Sequence, residues 1–464
     1  MRLARKPFVL LIGTALLLGA GLWASGENVA SASAQTVGLA PTPPMGWNSY
    51  DAYCGDVTEQ EVKANADYLA QHMAGYGWKY VVIDYYWYFS HTLPNREQKE
   101  WEYNMDDYGR LIPAPNRFPS AAHGQGFKPL ADYVHSKGLK FGIHIMRGIP
   151  RAAVEKNLPI LGTSAHAKDV ADTGNACNWS TAMYGVDVRK PAGQAYYDSI
   201  VALYAKWGVD YIKADDMSWA DKPAREDYHG PEIAALHRAI VKSGRPIVLS
   251  LSPGPAPLSE GMHLLKNANL WRISGDFWDD WNSLKKQFAL CNAWDNYRGP
   301  NGWPDADMLP LGRLRIRGYK DPERQSRFTP AEQRTLLTLW VISRSPLMMG
   351  GDLPSLDAAT LQLLTNPEVL GVDQNSVLNC QPFRDGSRVQ WQADIPGSPD
   401  RYFAFFNLDD ASPWRFSTTC AQMVGTHCAV RDLWEQKDVA VVGGAFAPRI
   451  EPHGAGLYRV TPER

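Results

Sequence analysis

The chain has 464 residues, 45% hydrophobic and 21% charged, with a formal net charge of −2. Acids and bases are interspersed, so no nucleic acid and no anionic membrane is implied as a partner. The length suits a large domain with a smaller one, and 17 tryptophans with 21 tyrosines supply a big core or a surface on which sugar rings stack.

At the N-terminus, Arg2, Arg5 and Lys6 precede the apolar run FVLLIGTALLLGAGLW, and Ala30, Ala32 and Ala34 follow it. This pattern predicts a signal peptide over 1–34, a mature chain from Gln35, and export to the periplasm or the extracellular space. The run is too short and too Gly-interrupted for a membrane span.

From about residue 45, apolar strand-like runs alternate with amphipathic helices. The strand candidates are GWNSY (46–50), YVVIDYYW (80–87), KFGIHIM (140–146), VDYIKAD (209–215), PIVLSLS (246–252), LWRISGD (270–276), GWPDADM (302–308) and LTLWVIS (337–343). Between them, Thr58 with Glu61 predicts a capping box ahead of a stripe of Val62, Ala66, Leu69 and Met73. A second helix carries Leu130, Tyr133 and Val134 and stops at Gly138; Thr329-Pro-Ala-Glu332 starts another. Eight alternations predict a (β/α)8 TIM barrel, taken over 35–374. A doubly wound sheet is the competing topology, but no G-x-G-x-x-G follows the first strand.

After about residue 375 the rhythm changes. SRVQWQADI, RYFAFFNL, DVAVVG and AGLYRVT are short runs split by turn residues, which predicts an antiparallel β-sandwich over 375–464, packed directly on the barrel. Of six cysteines, Cys420 and Cys428 flank a segment short enough to close a hairpin, and the others lack zinc spacing. Asn178-Trp179-Ser180 is a glycosylation sequon, and GRLRIRGYK (312–320) reads as a solvated basic loop.

Barrel chemistry sits at the C-terminal ends of strands. In VDYIKADDMSW, strand alternation puts Lys213 and Asp215 on one face and Asp216 on the other. Two carboxylates at one mouth are what glycoside hydrolysis needs, one to attack and one to protonate the leaving oxygen. Asp215, with a lysine on its own face, suits the first role. Asp276, in a tryptophan-rich stretch with Trp278 and Trp281, suits the second. Residue by residue, the bland alternatives stay open: an N-cap, an Asx-turn or a structural ion pair. A metal site has no H-x-H or H-E-x-x-H to support it, and a serine hydrolase has no G-x-S-x-G. Spacing alone leads to an exported, carbohydrate-active barrel enzyme.

Seven motifs in order carry a resemblance: PPMGWNSY (43–50), YVVID (80–84), NRFPS followed by LADYVHSKGLKFGIH (130–144), WGVDYIKAD (207–215), WRISGDFWDDW (271–281), GWPDADML (302–309) and SPLMMGGDL (345–353). They resemble glycoside hydrolase family 27, the melibiase or α-galactosidase group, from about Pro43 onward. The resemblance implies a retaining exo-glycosidase with no metal and no cofactor. It makes Asp215 the nucleophile and Asp276 the acid/base. Lys213 and Arg272 become sugar contacts, Trp47 an aromatic platform, Asp84 a hydroxyl ligand, and Asp307 with Met308 the remaining wall. Four places depart from the family's α-galactosidase pattern: Tyr85 replaces a second aspartate, His144 a common tyrosine, Asp216-Met217 a cysteine common just after the nucleophile, and Ser252 a glutamate. The expected activity is that of an α-galactosidase. Within the family the alternatives are a β-L-arabinopyranosidase, an α-N-acetylgalactosaminidase and an isomaltose-releasing dextranase; outside it, a non-catalytic carbohydrate-binding protein.

Overall fold

Short, fully apolar strands flanked by helices bury both faces of a sheet, and here the sheet closes on itself. The computed structural model describes residues 38–90, 103–177, 179–180, 182–219, 228–318 and 321–463. The predicted signal segment, Gln35 and Asn178 lie outside the described residues.

The barrel strands are β1 (Met45–Asn48), β2 (Tyr80–Ile83), β3 (Lys140–Met146), β4 (Tyr211–Asp215), β5 (Val248–Leu251), β6 (Leu270–Arg272), β7 (Trp303–Asp305) and β8 (Leu347–Met349). All pair in parallel, in the order β7-β6-β5-β4-β3-β2-β1-β8, and a parallel bridge from Leu309 to Met349 closes the ring. The principal helices outside it are α1 (Glu59–His72), α2 (Lys128–Ser136), α3 (Pro191–Trp207), α4 (Gly230–Ser243), α5 (Gly261–Asn267), α6 (Trp281–Ala293) and α7 (Pro330–Ser343). The Thr58–Glu61 capping box starts α1, and Val62, Ala66 and Leu69 are buried along its inner face. Gly138, at φ +76°, ends the turn after α2.

One predicted strand is wrong. The run Leu337–Ser343 is the C-terminal half of α7, and the eighth strand is Leu347–Met349. Every residue of that run is buried, so it carries no polar face from which helical periodicity can be read.

Alternation along the strands sorts the interior. Tyr80, Val82, Tyr211, Val248 and Leu270, with Met308 and Met348, form a small apolar plug inside the barrel. Val81, Ile83, Ile212, Ala214, Leu249 and Trp271 face the helices and join the main core. Two residues further along the inward faces come Asp84, Lys213 and Arg272, so the plug gives way to charge at the mouth.

An antiparallel sheet of Ile149–Pro150, Ala171–Ala176 and Met183–Val186 is inserted between β3 and α3. Beyond the barrel, a last helix, α8 (Pro367–Asn375), leads into a six-stranded antiparallel sheet. Its strands are β9 (Val377–Asp385), β10 (Arg388–Asp394), β11 (Arg401–Asn407), β12 (His427–Asp432), β13 (Lys437–Val439) and β14 (Ala455–Glu463), ordered β9-β10-β11-β14-β12-β13. Short strand pairs add a second layer of this β-sandwich. Cys420 and Cys428 are disulfide-bonded, tying the start of a short helix to β12 rather than closing a hairpin.

The two domains share one core. Phe288 of α6 packs edge-on against Phe406 at 4.9 Å, and Trp281 stacks on His453 at 4.0 Å. Glu332, which caps α7 with Thr329, also meets His453 Nδ1 at 2.7 Å. Among the described residues, no helix is long and apolar enough to cross a membrane.

Candidate active site

A cavity of about 470 Å³ opens where the barrel strands end. Its wall includes Asp84 and Tyr85 after β2, Lys213 and Asp215 on β4, Ser252 after β5, Arg272 and Asp276 around β6, and Asp307 with Met308 after β7. Nine of the eleven residues predicted from sequence therefore meet in one hollow.

The floor is a chain of charge-assisted hydrogen bonds. Lys213 Nζ donates to Asp84 Oδ2 at 2.8 Å, and Asn48 Nδ2 donates to the same oxygen at 2.7 Å. The Tyr85 amide donates to Asp84 Oδ1 at 2.8 Å. Burial alone would raise the Asp84 carboxyl, but the Lys213 charge and these donors hold it far below its ordinary range. The lysine predicted to sit with Asp215 is thus bonded to Asp84 instead.

The direct side-chain partner of Asp215 is His144, whose Nε2 lies 3.1 Å from Oδ2, while Oδ1 accepts the Asp216 amide at 3.0 Å. Burial pushes Asp215 up; the His144 hydrogen bond and the charge on Lys213 outweigh it, and the net direction is down. His144 is fully buried behind Asp215 and edge-on to the Tyr85 ring at 5.1 Å. Expected to bind sugar, it lies outside the cavity wall and acts on the carboxylate from behind.

Arg272 ties the opposite wall together. Its Nη2 reaches Asp307 Oδ2 at 2.7 Å, the Gly275 carbonyl at 2.6 Å and Asp276 Oδ1 at 3.3 Å. Asp307 also accepts the amides of Phe277 and Met308 at 2.7 and 2.8 Å. Burial raises its carboxyl, Arg272 pulls it back, and the adjacent Asp276 and Asp305 leave it at about 6.

Asp276 departs from the tryptophan-wrapped setting expected of it. Its side chain is 71% exposed at the mouth. Trp281 turns away to His453, and Trp278 lines the cavity with its ring beneath Arg315 at 3.7 Å. That arginine comes from the basic run read as a solvated loop, which instead braces the rim.

Trp47 also departs from expectation. It is fully buried on the outer face of β1, its Nε1 donating to the Gly351 carbonyl at 2.9 Å. Gly46 and Asn48 take the inward positions of that strand, so alternation itself puts Trp47 among the helices. The residues β1 does send to the cavity are Tyr50 and Asp51, just past its end. Sequence reasoning missed both, although the strand-end rule applied to WNSYD points at them. It also missed Trp179, which reaches the wall from the inserted sheet.

Asp216 faces away from the cavity, as alternation predicts. With φ at +60°, it meets Arg147, whose Nε donates to Oδ2 at 2.9 Å; Arg147 Nη1 reaches Glu232 Oε1 at 2.8 Å, and Tyr197 donates to Glu232 at 2.6 Å. This buried network lies directly behind the strand that carries Asp215. Among the described residues, no three His, Cys, Asp or Glu side chains group as a metal site.

A (β/α)8 mouth lined by carboxylates, lysine, arginine and aromatic rings holds the groups that glycoside hydrolysis uses. The family model described as Alpha galactosidase A matches residues 42–155 and 184–375, and that of the alpha galactosidase C-terminal beta sandwich domain matches 385–460. The chain belongs to glycoside hydrolase family 27. The interruption at 156–183 falls on the inserted sheet.

Among its relatives is a family 27 β-L-arabinopyranosidase from Geobacillus stearothermophilus, solved in complex with arabinose. That structure is 47% identical and superposes with a TM-score of 0.88 over 92% of this chain and 98% of the other. Alpha-galactosidase 3 of Arabidopsis thaliana is 30% identical over 92% of this chain and 83% of its own. The alpha-N-acetylgalactosaminidase of Gallus gallus is 26% identical over 92% and 95%.

Proposed function

We propose that the protein is an exported retaining exo-glycosidase that releases terminal β-L-arabinopyranosyl residues. The observation that carries the substrate is Tyr85, a buried aromatic ring on the cavity wall where the family's α-galactosidase pattern has a second aspartate. β-L-Arabinopyranose is α-D-galactopyranose without the hydroxymethyl group on C5. A wall that offers a ring in place of a carboxylate favours the sugar with one hydroxyl fewer. The 47% identity to an arabinopyranosidase over nearly the whole chain supports the same choice.

In this reading Asp215 attacks the anomeric carbon while Asp276 protonates the departing oxygen, leaving a glycosyl-aspartate ester. Asp276 then takes a proton from water, which attacks the anomeric carbon and frees Asp215 with net retention. The depressed carboxyl of Asp215 supports its role as the ionised nucleophile. The position of Asp276 at the open rim supports proton delivery on the side where a leaving group emerges. The second reading, an α-galactosidase, is the activity expected from sequence. It is favoured by the plant relatives named α-galactosidase, at 28–30% identity.

The test compares kcat/KM on p-nitrophenyl β-L-arabinopyranoside and α-D-galactopyranoside. We expect a preference of about tenfold or more for the arabinoside, reduced in Tyr85→Asp. A wild-type preference for the galactoside would overturn the substrate assignment, and an inverted first-formed sugar by NMR would overturn the mechanism.

A further inference from the structure

Asp51 stands in the cavity wall just past β1, only 1% exposed, and its Oδ2 has no hydrogen-bond partner among the described residues. The other carboxylates of the hollow are answered: Asp84 by Asn48, Lys213 and an amide, Asp215 by His144 and an amide, Asp276 by Arg272, and Asp307 by Arg272 and two amides. A buried carboxyl oxygen without a partner is costly, and its retention in a binding cavity points to a ligand that completes it.

The fold reserves room for this side chain. A Cβ on Gly350, just past β8, would lie 2.0 Å from Asp51 Oδ2, so any larger residue there would displace the acid. Its surroundings also favour the protonated form, which can donate as well as accept. Burial and the nearby Asp307 push its carboxyl well above the usual range, against the pull of Lys213 and Arg315. Across the floor, Tyr85 presents a ring where the family's α-galactosidases offer a second acid.

We propose that Asp51 is a specificity residue of this site. Its carboxyl hydrogen-bonds a ring hydroxyl of the pyranose held by Asp84, Lys213 and Asp307, supplying from β1 an acid where Tyr85 at β2 offers none. This rests on the glycosidase reading above but not on which pentose or hexose is preferred.

The experiment uses full-length enzyme and the aryl glycoside that the wild type cleaves best, so a wrong sugar assignment leaves it intact. Asp51→Ala is expected to raise KM about tenfold with a smaller change in kcat, and to weaken binding of the matching free monosaccharide in calorimetry by a similar factor. Asp51→Asn, which keeps the shape and a donor, is expected to stay within about fivefold of wild type. A monodeoxy glycoside series then identifies the contact: removing one hydroxyl should cost the wild type heavily and cost Asp51→Ala nothing further. If Asp51→Ala does not fold, the same series on Asp51→Asn replaces it, and that hydroxyl should lose part of its weight there. Monosaccharide binding within twofold of wild type in Asp51→Ala, or equal weight for every hydroxyl in variant and wild type, would overturn the assignment.

Discussion

Asp215 and Asp276 line one cavity from opposite kinds of ground. Asp215 ends a barrel strand, is bonded from behind by His144, and stands on a floor where Lys213 and Asp84 are paired. Asp276 rides a loop beyond β6, largely open to water, with Arg272 beside it at 3.3 Å. A buried carboxylate keeps its charge only through its partners, whereas an exposed one exchanges protons freely with water or with a leaving group. On the mechanism proposed above, the contrast teaches that the nucleophile's role is built into the barrel, while the proton donor's role is completed by what binds above it.

The largest expected effects test that contrast directly. Asp215→Ala should lower kcat/KM by about 10⁴-fold or more on every aryl glycoside, because no neighbour can form the sugar ester in its place. Asp276→Ala should cost about 10²–10⁴-fold, and unevenly. Nitrophenyl glycosides, whose leaving groups need little protonation, should suffer least in the first step, and alkyl glycosides or oligosaccharides most. Equal losses across leaving groups in both variants would erase the distinction between the two carboxylates.

A second comparison sets the front of β4 against its back. Arg147 is buried between Asp216 and Glu232, and its amide also donates to the Asp215 carbonyl at 2.9 Å. Arg147→Met removes one partner from two buried carboxylates, which should destabilise the fold by about 3–5 kcal/mol in urea denaturation. Loss of activity without that loss of stability would show the network to be catalytic rather than structural.

How much of this could be read in the chain follows the same division. The barrel was legible because short apolar runs and helix starts are local signals: the Thr58 capping box and the helix start at Thr329 fall where predicted, and seven of eight strands coincide. The eighth was not, since Leu337–Ser343 is buried all round and belongs to a helix packed between barrel and sandwich. At the site, alternation places Lys213, Asp215 and Asp216 correctly; the other wall residues follow from strand ends and the family resemblance, and the resemblance puts Trp47 on the wrong face of its strand. The partners of each carboxylate were not legible, because His144 meets Asp215, and Lys213 meets Asp84, across strands whose register the sequence does not state. Trp179 enters from an inserted sheet with no barrel periodicity to announce it.

The smallest effect we argue concerns acid stability at the back of the site. His229 precedes α4, buried, with its amide bonded to the Met217 carbonyl at 3.0 Å. Burial first, and the Arg147 charge second, lower its pKa from 6.5 to about 3. The folded state therefore binds fewer protons than the unfolded chain between those values. The stability His229 contributes is complete above pH 6.5 and is lost as pH falls towards 3, at about 1.4 kcal/mol per unit. Asp216, raised from 3.8 to about 6, runs the other way, its contribution present below 3.8 and lost as pH rises through 6. That opposing term is common to wild type and His229→Gln, so it cancels in their difference. Chemical denaturation at pH 6 and pH 4 should show wild type losing about 2–3 kcal/mol more than the variant. Parallel losses would mean that His229 takes up its proton inside the fold, and that Arg147 is shielded from it by the carboxylates it pairs with.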